Sequence, residues 1–253
     1  MSLIKQVSYW GNGSLFLRNR RIVNARRLPI GNVVDLKYSI TEDSKKLSDY
    51  EIPGGGTLEK HTRVNEVSGI AKTSNHSPTN LALALGGTIA TNVAATITDE
   101  PHIDVPLGTL VTLERLPDLT QPITVKVGGV AVVAAGNWEP NAAGIWIYPT
   151  ATGILAGDDL EVSYSALGDS LIQALVASGD EYEMTFVGLN DARGGAPTVI
   201  TAHRCQFSTT KGLDLIADDF GKMDLPFTLL SDPTIAGNSL SRFFTVRQAD
   251  QAA

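Results

Sequence analysis

Four histidines and one cysteine are the residues best suited to metal or nucleophilic chemistry, and their spacing offers little of either. None of His61, His76, His102 and His203 stands three to five residues from another His or from Cys205, the spacing a zinc site requires. His203 and Cys205 are two apart on a strand-like stretch and share a face. That spacing would allow a dyad, but it equally describes a small apolar cysteine beside a half-buried histidine, the commoner case. Asp158-Asp159 and Asp218-Asp219 lack the spaced oxygens and turn glycine of a calcium loop and read as solvated turns. Glu181 and Glu183 alternate along one polar strand face, with no pocket implied around them. Pro53-Gly54-Gly55-Gly56 is followed by Thr57-Leu58, not by Gly-Lys-Ser/Thr, so it reads as a hinge rather than a phosphate loop. GxSxG, HExxH and a strand-borne GxGxxG are absent from the sequence. These residues predict no enzyme, no cofactor and no metal.

The strongest local charge is basic. Arg18, Arg20, Arg21, Arg26 and Arg27 fall within ten residues, and the first fifty residues hold nine bases against four acids. The rest hold 11 bases against 23 acids, and the whole chain is at -7. Such asymmetry bears on association rather than fold. The arginine cluster could serve as an anion patch, a protein interface or a solvated loop. No aromatic interleaves with it to stack bases, and the overall acidity opposes a nucleic-acid grip, because phosphate contacts need a surplus of bases.

The elements that must position these groups are mostly strands. Val34, Leu36, Tyr38 and Ile40 alternate with Asp35, Lys37, Ser39 and Thr41, the pattern of a half-buried strand. Similar alternation covers Ile123–Val127, Leu160–Tyr164 and Glu181–Phe186. Val199–Thr209, Phe227–Leu230 and Phe243–Val246 read as further strands. One helix is well signalled: Ser77 can cap it, Pro78 suits its first turn, and Gly86-Gly87 stops it. Asp169–Ala177 is ambiguous between helix and strand, and Leu213–Asp219 suggests a short helical turn. Glu42–Glu59 reads as a long polar loop. Half of the twelve prolines lie between Pro101 and Pro149. We therefore expect a small β subdomain at 98–166 inserted into a main domain built from 1–97 and 167–253. The fold class expected is mainly β, a sandwich or barrel with one flanking helix. The lone Cys205 excludes an internal disulfide framework. The opening MSLIKQVSYWGN has no apolar signal-peptide core, and no apolar run is long enough to span a bilayer. A chain made in a reducing cytosol, with no membrane partner, is expected.

The order of features suggests a family. SLFLRNR is followed by GNVVDLKYSIT, then PGGGTLEKHTRV, then the helix SPTNLALALGG. EYEMTFVGLNDARG, PTVITAHRCQFS, GLDLIADDFGKMDLPFTLLSD and RFFTVRQ close the chain. This pattern resembles the major tail tube protein of a tailed bacteriophage. ITVKVGGVAVVAAGNWEPNAAGIWIYPTATGILAGDDLEVSYSALG is similar to small β insertions in some of those proteins. The resemblance implies a structural virion protein whose hexameric rings stack head to tail into a hollow tube, assembled in the host bacterial cytoplasm and resident in the virion tail. Its partners would be further copies of itself, a tape-measure protein, and tail terminator and baseplate proteins. DNA would pass through without specific binding. The resemblance gives no catalytic residues to carry over. Contact roles fall on Arg18, Arg20, Arg21, Arg26 and Arg27, and on Lys45, Lys46, Asp49, Tyr50, Glu51, Pro53, Gly54, Gly55 and Gly56. Asp35, Lys37, Ser39 and Thr41 become candidates for the lumen. Two alternatives stand beside this reading. One is a single-ring terminator or secretion-tube component of the same fold. The other is a carbohydrate-binding β-sandwich module, for which Trp138, Trp146 and Tyr148 are the candidate aromatic row.

Overall fold

The computed structural model describes residues 8–51, 53–177, 179–216 and 218–249. The chain is mainly β, 53% strand and 5% helix, with several sheets and a single helix in a β-sandwich-like arrangement. It divides into two compact units: one built from 1–89 and 172–253, the other from 90–171. The second unit encloses the stretch 98–166 singled out by its prolines and extends several residues beyond it at each end.

In chain order the elements are β1 (Gly11–Asn19), β2 (Leu28–Pro29), β3 (Val33–Ser48), β4 (Thr57–Thr73), α1 (Pro78–Leu85) and β5 (Thr88–Asn92). Then follow β6 (Ala95–Val105), β7 (Leu110–Thr112), β8 (Thr124–Val127), β9 (Val130–Val132), β10 (Trp138–Asn141), β11 (Gly144–Ile147) and β12 (Asp158–Ala166). The last five are β13 (Asp169–Gln173), β14 (Glu181–Asn190), β15 (Ala196–Phe207), β16 (Met223–Leu229) and β17 (Phe244–Gln248).

The first unit is one large sheet in the order β2-β1-β14-β15-β16-β4-β3, with β17 also paired to β15. One edge of β15 is shared: Thr198–Ala202 face β17, and Cys205–Phe207 face β16. Its core is laid down by alternation. Along β16, Met223, Leu225, Phe227 and Leu229 are buried and the residues between them are not. Leu15, Leu17, Val67, Ala71, Met184, Ala202 and Cys205 complete that layer, and Tyr38, Tyr182, Phe207 and Phe244 pack around Phe227. Gly69 lies directly opposite both Tyr38 and Phe227. A Cβ there would come within 2.4 Å of the Phe227 ring and 2.2 Å of the Lys37 carbonyl oxygen, so only glycine lets the ring lie flat on the strand.

The helix forms as its punctuation requires. Ser77 Oγ accepts from the Asn80 amide at 3.4 Å, Pro78 opens the first turn, and Gly86 ends it in the left-handed region at φ 56°. Asn80 is buried and donates to the carbonyls of Ile30 and Asn75, tying the helix to the sheet.

The second unit holds a three-stranded sheet, β10-β11-β7, and a four-stranded one, β6-β12-β8-β9. Val111, Val125, Trp138, Ile145, Ile147, Ile154, Leu160, Val162 and Tyr164 form its own core. Arg115 clasps the base of this unit. Its guanidinium donates to the carbonyls of Val93 and Leu167 and to the Asp169 carboxylate at 3.0–3.1 Å. Tyr164, pushed up to about 12 by burial and by its hydrogen bond to Glu100, stays a neutral donor there.

Two expectations are corrected and one ambiguity is resolved. Glu42–Glu59 is not a long loop. β3 and β4 pair continuously from Val33 and Thr73 to Ser48 and Thr57, with irregularities after Val33, Thr41 and Leu47. The turn is only Asp49–Gly56, in which Ile52 lies outside the described residues. The distal strands are solvated on both faces, so they carry none of the polar–apolar contrast that marks a half-buried strand. Leu213–Asp219 forms no helix among its described residues; Ala217 lies outside them. Asp169–Gln173 is a strand, and Leu175 beyond it takes a left-handed φ of 62° that ends the extended run.

Candidate assembly surfaces

The basic cluster is built on β1 and the turn that follows it, and the fold brings acids to it. Arg18 on β1 stands opposite Glu183 on β14 in register, and Arg27 reaches the second oxygen of the same carboxylate. Arg20 donates to Asp232 and to the His203 carbonyl. Arg21 pairs with Asp180 at 3.2 Å and with the Gly179 carbonyl at 2.8 Å. Beside them Arg204 holds Glu181 at 2.6 and 2.8 Å. The Arg20 hydrogen bond, with support from Thr234, holds the Asp232 carboxyl well below the usual carboxylate range, and Arg204 lowers Glu181. Four of the five arginines are thus engaged within their own chain, and the positive segment is largely compensated in space. Among the described residues Arg26 alone of the five has no ion pair. It stands at the lip of an apolar cleft described below.

The second surface is the β3–β4 arm. β16 pairs β4 only from Val67 to Thr73, and the outer edge of β3 carries no strand among the described residues. From Glu42 to Ser48 and from Thr57 to Val64 the arm is therefore a two-stranded ribbon exposed on both faces. At about 3.4 Å per residue it runs on for roughly 20 Å. Its turn is closed by the Asp49 amide on the Gly56 carbonyl at 2.9 Å, with Gly54 and Gly55 at φ 108° and 61°. Tyr50 at its tip is 90% exposed, and Leu47 and Leu58 are more than half exposed. Lys46 stands opposite Lys60, like charges that repel across a strand pair, while Lys45 stands opposite His61 and Asp43 opposite Arg63. Lys45, Lys46, Tyr50, Glu51 and Pro53–Gly56 are exposed, and Asp49 is half-buried.

The third surface is the outer face at the base of the arm. Asp35, Lys37, Ser39 and Thr41 are all exposed and share a face with their partners Lys72, Ile70, Ser68 and Glu66. Lys72 and Asp224 pair there at 3.5 Å. On the opposite face Leu36 and Tyr38 pack against the core as the alternation predicts, but Val34 and Ile40 remain half exposed. The irregularity after Val33 displaces Val34, and Val33 packs against the core instead.

Other sequence candidates resolve into structure. Cys205 is fully buried, and burial pushes its thiol up. Asp158 accepts from the Leu155 amide, Asp159 from Asp104 and Asp219 from Phe220, the bonding of turns and bulges. Among the described residues no three His, Cys, Asp or Glu side chains gather as a metal site, and no helix is long and apolar enough to cross a membrane. Trp138, Trp146 and Tyr148 do not form one exposed row. Trp138 is buried with its indole N–H on the Val132 carbonyl, while Trp146 and Tyr148 are half-buried.

Sequence reasoning missed the ion-pair layer and the cleft. The cleft, about 770 Å³, lies within the first unit and is lined by Leu17, Ile22, Ala25, Leu28, Ala82, Leu83, Tyr182 and Phe207, among others. Its walls come from four separate stretches, around 17–30, 77–89, 177–182 and Phe207, and only the apolar pair Ile22-Val23 among the arginines marks it in the sequence.

No curated protein matches the chain. The family described as "Protein of unknown function UCP028589" matches residues 8–247, nearly the whole length, and the chain belongs to that family.

Proposed function

We propose that this chain is a structural subunit that assembles with copies of itself into stacked rings, the hollow tail tube of a tailed bacteriophage. The arm carries this reading. A ribbon exposed on both faces, with apolar side chains at its tip and Lys46 set opposite Lys60, gains little stability alone. Its free edge is a template for another chain. Packing against a neighbouring copy would cover Leu47, Tyr50 and Leu58 and set Lys45, Lys46 and Lys60 against acids, which the rest of the chain carries in excess. A contact between two different patches of identical subunits closes into rings or continues into filaments. The face of Asp35, Lys37, Ser39 and Thr41 is the lumen in this reading. Its mixed charges, with Lys72, Asp224 and Glu66, give DNA no basic track to bind. The tape-measure, terminator and baseplate partners follow from the same resemblance, as does residence in the virion tail after assembly in the host cytoplasm.

Negative-stain electron microscopy of the purified chain at rising concentration, with sedimentation velocity alongside, tests the proposal. Six-fold rings that stack into tubes support it. Rings that never stack would instead favour a terminator or a secretion ring of similar fold. A monomer at every concentration would refute self-assembly.

A further inference from the structure

The segment between β15 and β16 exposes side chains that a folded chain normally hides. Leu215 is 77% exposed, Ile216 97% and Phe220 87%. Asp214, Asp218 and Asp219 are interspersed with them and also exposed. Asp219 is engaged by Lys222 at 3.3 Å; Asp214 and Asp218 have no ion pair among the described residues. The segment is held at its root. The Thr210 amide donates to the Ala84 carbonyl at 2.7 Å, and Leu213 packs against the core. It therefore presents an apolar and acidic face from a fixed base.

The cleft beside α1 is its complement. It is concave and mostly apolar, and Ile22 and Leu28 on its rim are themselves more than half exposed. Arg26 stands among its lining residues without an acidic partner in the described chain. An occupant that fills it should bring branched or aromatic side chains and a carboxylate.

We propose that the described residues of the β15–β16 segment of one copy dock into this cleft on the next, with Leu215, Ile216 and Phe220 in the apolar floor and Asp214 or Asp218 on Arg26. The pairing joins two different patches of the same chain, so it propagates when each copy receives the segment of one neighbour and gives its own to another; a reciprocal exchange between two copies would close as a dimer. This contact works together with the arm. It rests on the self-assembly reading and names a second pair of surfaces for it.

The test is a disulfide trap in the full chain. Leu28→Cys and Ile216→Cys are combined, both positions being exposed, while native Cys205 is buried. A bond forms only if the two Cα atoms come within about 7 Å. Mild oxidation, a non-reducing denaturing gel and a free-thiol count should show a ladder of dimers, trimers and higher species; cross-linked dimers alone would overturn the contact to the next copy in a stack, because two copies would then exchange segments reciprocally. Assembled particles without a ladder overturn this contact and leave self-assembly standing. Lost thiols with only monomer on the gel mean the segment docks on its own chain, which also overturns it. A monomer with free thiols at every concentration overturns both. Charge exchange gives a second reading without new cysteines. Arg26→Asp should weaken self-association about tenfold or more as the rim becomes repulsive, and adding Asp214→Arg with Asp218→Arg should restore it. No change on Arg26→Asp, or no rescue, overturns the assignment.

Discussion

Shortening the arm separates assembly from folding. Glu42 and Val64 are paired in register across β3 and β4, so Asp43–Arg63 can be replaced by Asn-Gly, the two-residue turn that suits a hairpin. No described side chain in the removed stretch is fully buried. The core cluster around Phe227 contains none of them, and its nearest arm neighbours, Val67 and Tyr38, remain. The shortened chain should therefore keep its unfolding free energy within about 1 kcal/mol, the scale of surface changes. Association should respond very differently. Leu47, Tyr50 and Leu58 together expose about 300 Å² of apolar surface, and at 25 cal/mol per Å² their burial contributes up to roughly 7 kcal/mol. That is a large share of any interface once the cost of association is subtracted. Urea unfolding followed by circular dichroism, with sedimentation and electron microscopy of both chains, checks the two halves. Tubes that form normally from the shortened chain would refute the arm's role. A loss of several kcal/mol in folding would refute the claim that the arm is energetically separate.

Four further outcomes follow from the core and its charged layer. Asp232→Asn leaves Arg20 without its acid in a site where Asp232 is nearly fully buried; we expect a loss of about 2–4 kcal/mol by urea unfolding, and a change under 0.5 kcal/mol would contradict the pairing. Because the folded Asp232 carboxyl lies below its unfolded value of about 3.9, its contribution is present above that pH and lost as pH falls below it. The native chain should therefore lose stability on acidification below about pH 4 more steeply than the Asn variant. Gly69→Ala forces a methyl group against the Phe227 ring and the Lys37 carbonyl; it should cost about 2–3 kcal/mol in the same assay, and a neutral result would show that the ring can move aside. Cys205, buried and with its thiol pushed up, should react with a thiol reagent only as fast as the chain opens, and rapid labelling of the native chain would contradict its burial.

The sequence made some elements plain and hid others for physical reasons. The helix was legible residue by residue, because Ser77, Pro78 and Gly86 act on backbone groups within a few positions. Strands β12 and β14 were legible because one face of each is buried and the other is not. The distal arm was not, since Lys45, Lys46 and their partners are solvated on both faces and leave no period. The outward placement of Asp35, Lys37, Ser39 and Thr41 could be read from alternation, although the irregularity that moved Val34 could not. The arginine cluster was visible as charge but not as a bonded layer. Arg18 meets Glu183 and Arg20 meets Asp232 across more than 160 residues of chain, and no local pattern records such a pairing. The exposure of Leu215, Ile216 and Phe220 was hidden too, because apolar residues in a row suggest burial until the fold shows nothing above them.

The Arg115 clasp has a consequence for how this chain tolerates change. The guanidinium ties the carbonyl of Val93, on the way into the second unit, to that of Leu167, on the way out. A flexible loop of comparable length would cost about 4 kcal/mol to close. A unit that fixes the spacing of its own ends lifts that burden from the sheet that carries it. The position between β5 and β13 thus works as a socket: a folded unit with ends at the same spacing should be exchangeable there while β1, β14, β15, β16 and β4 keep their register. Diversity can accumulate in 90–171 without disturbing the large sheet.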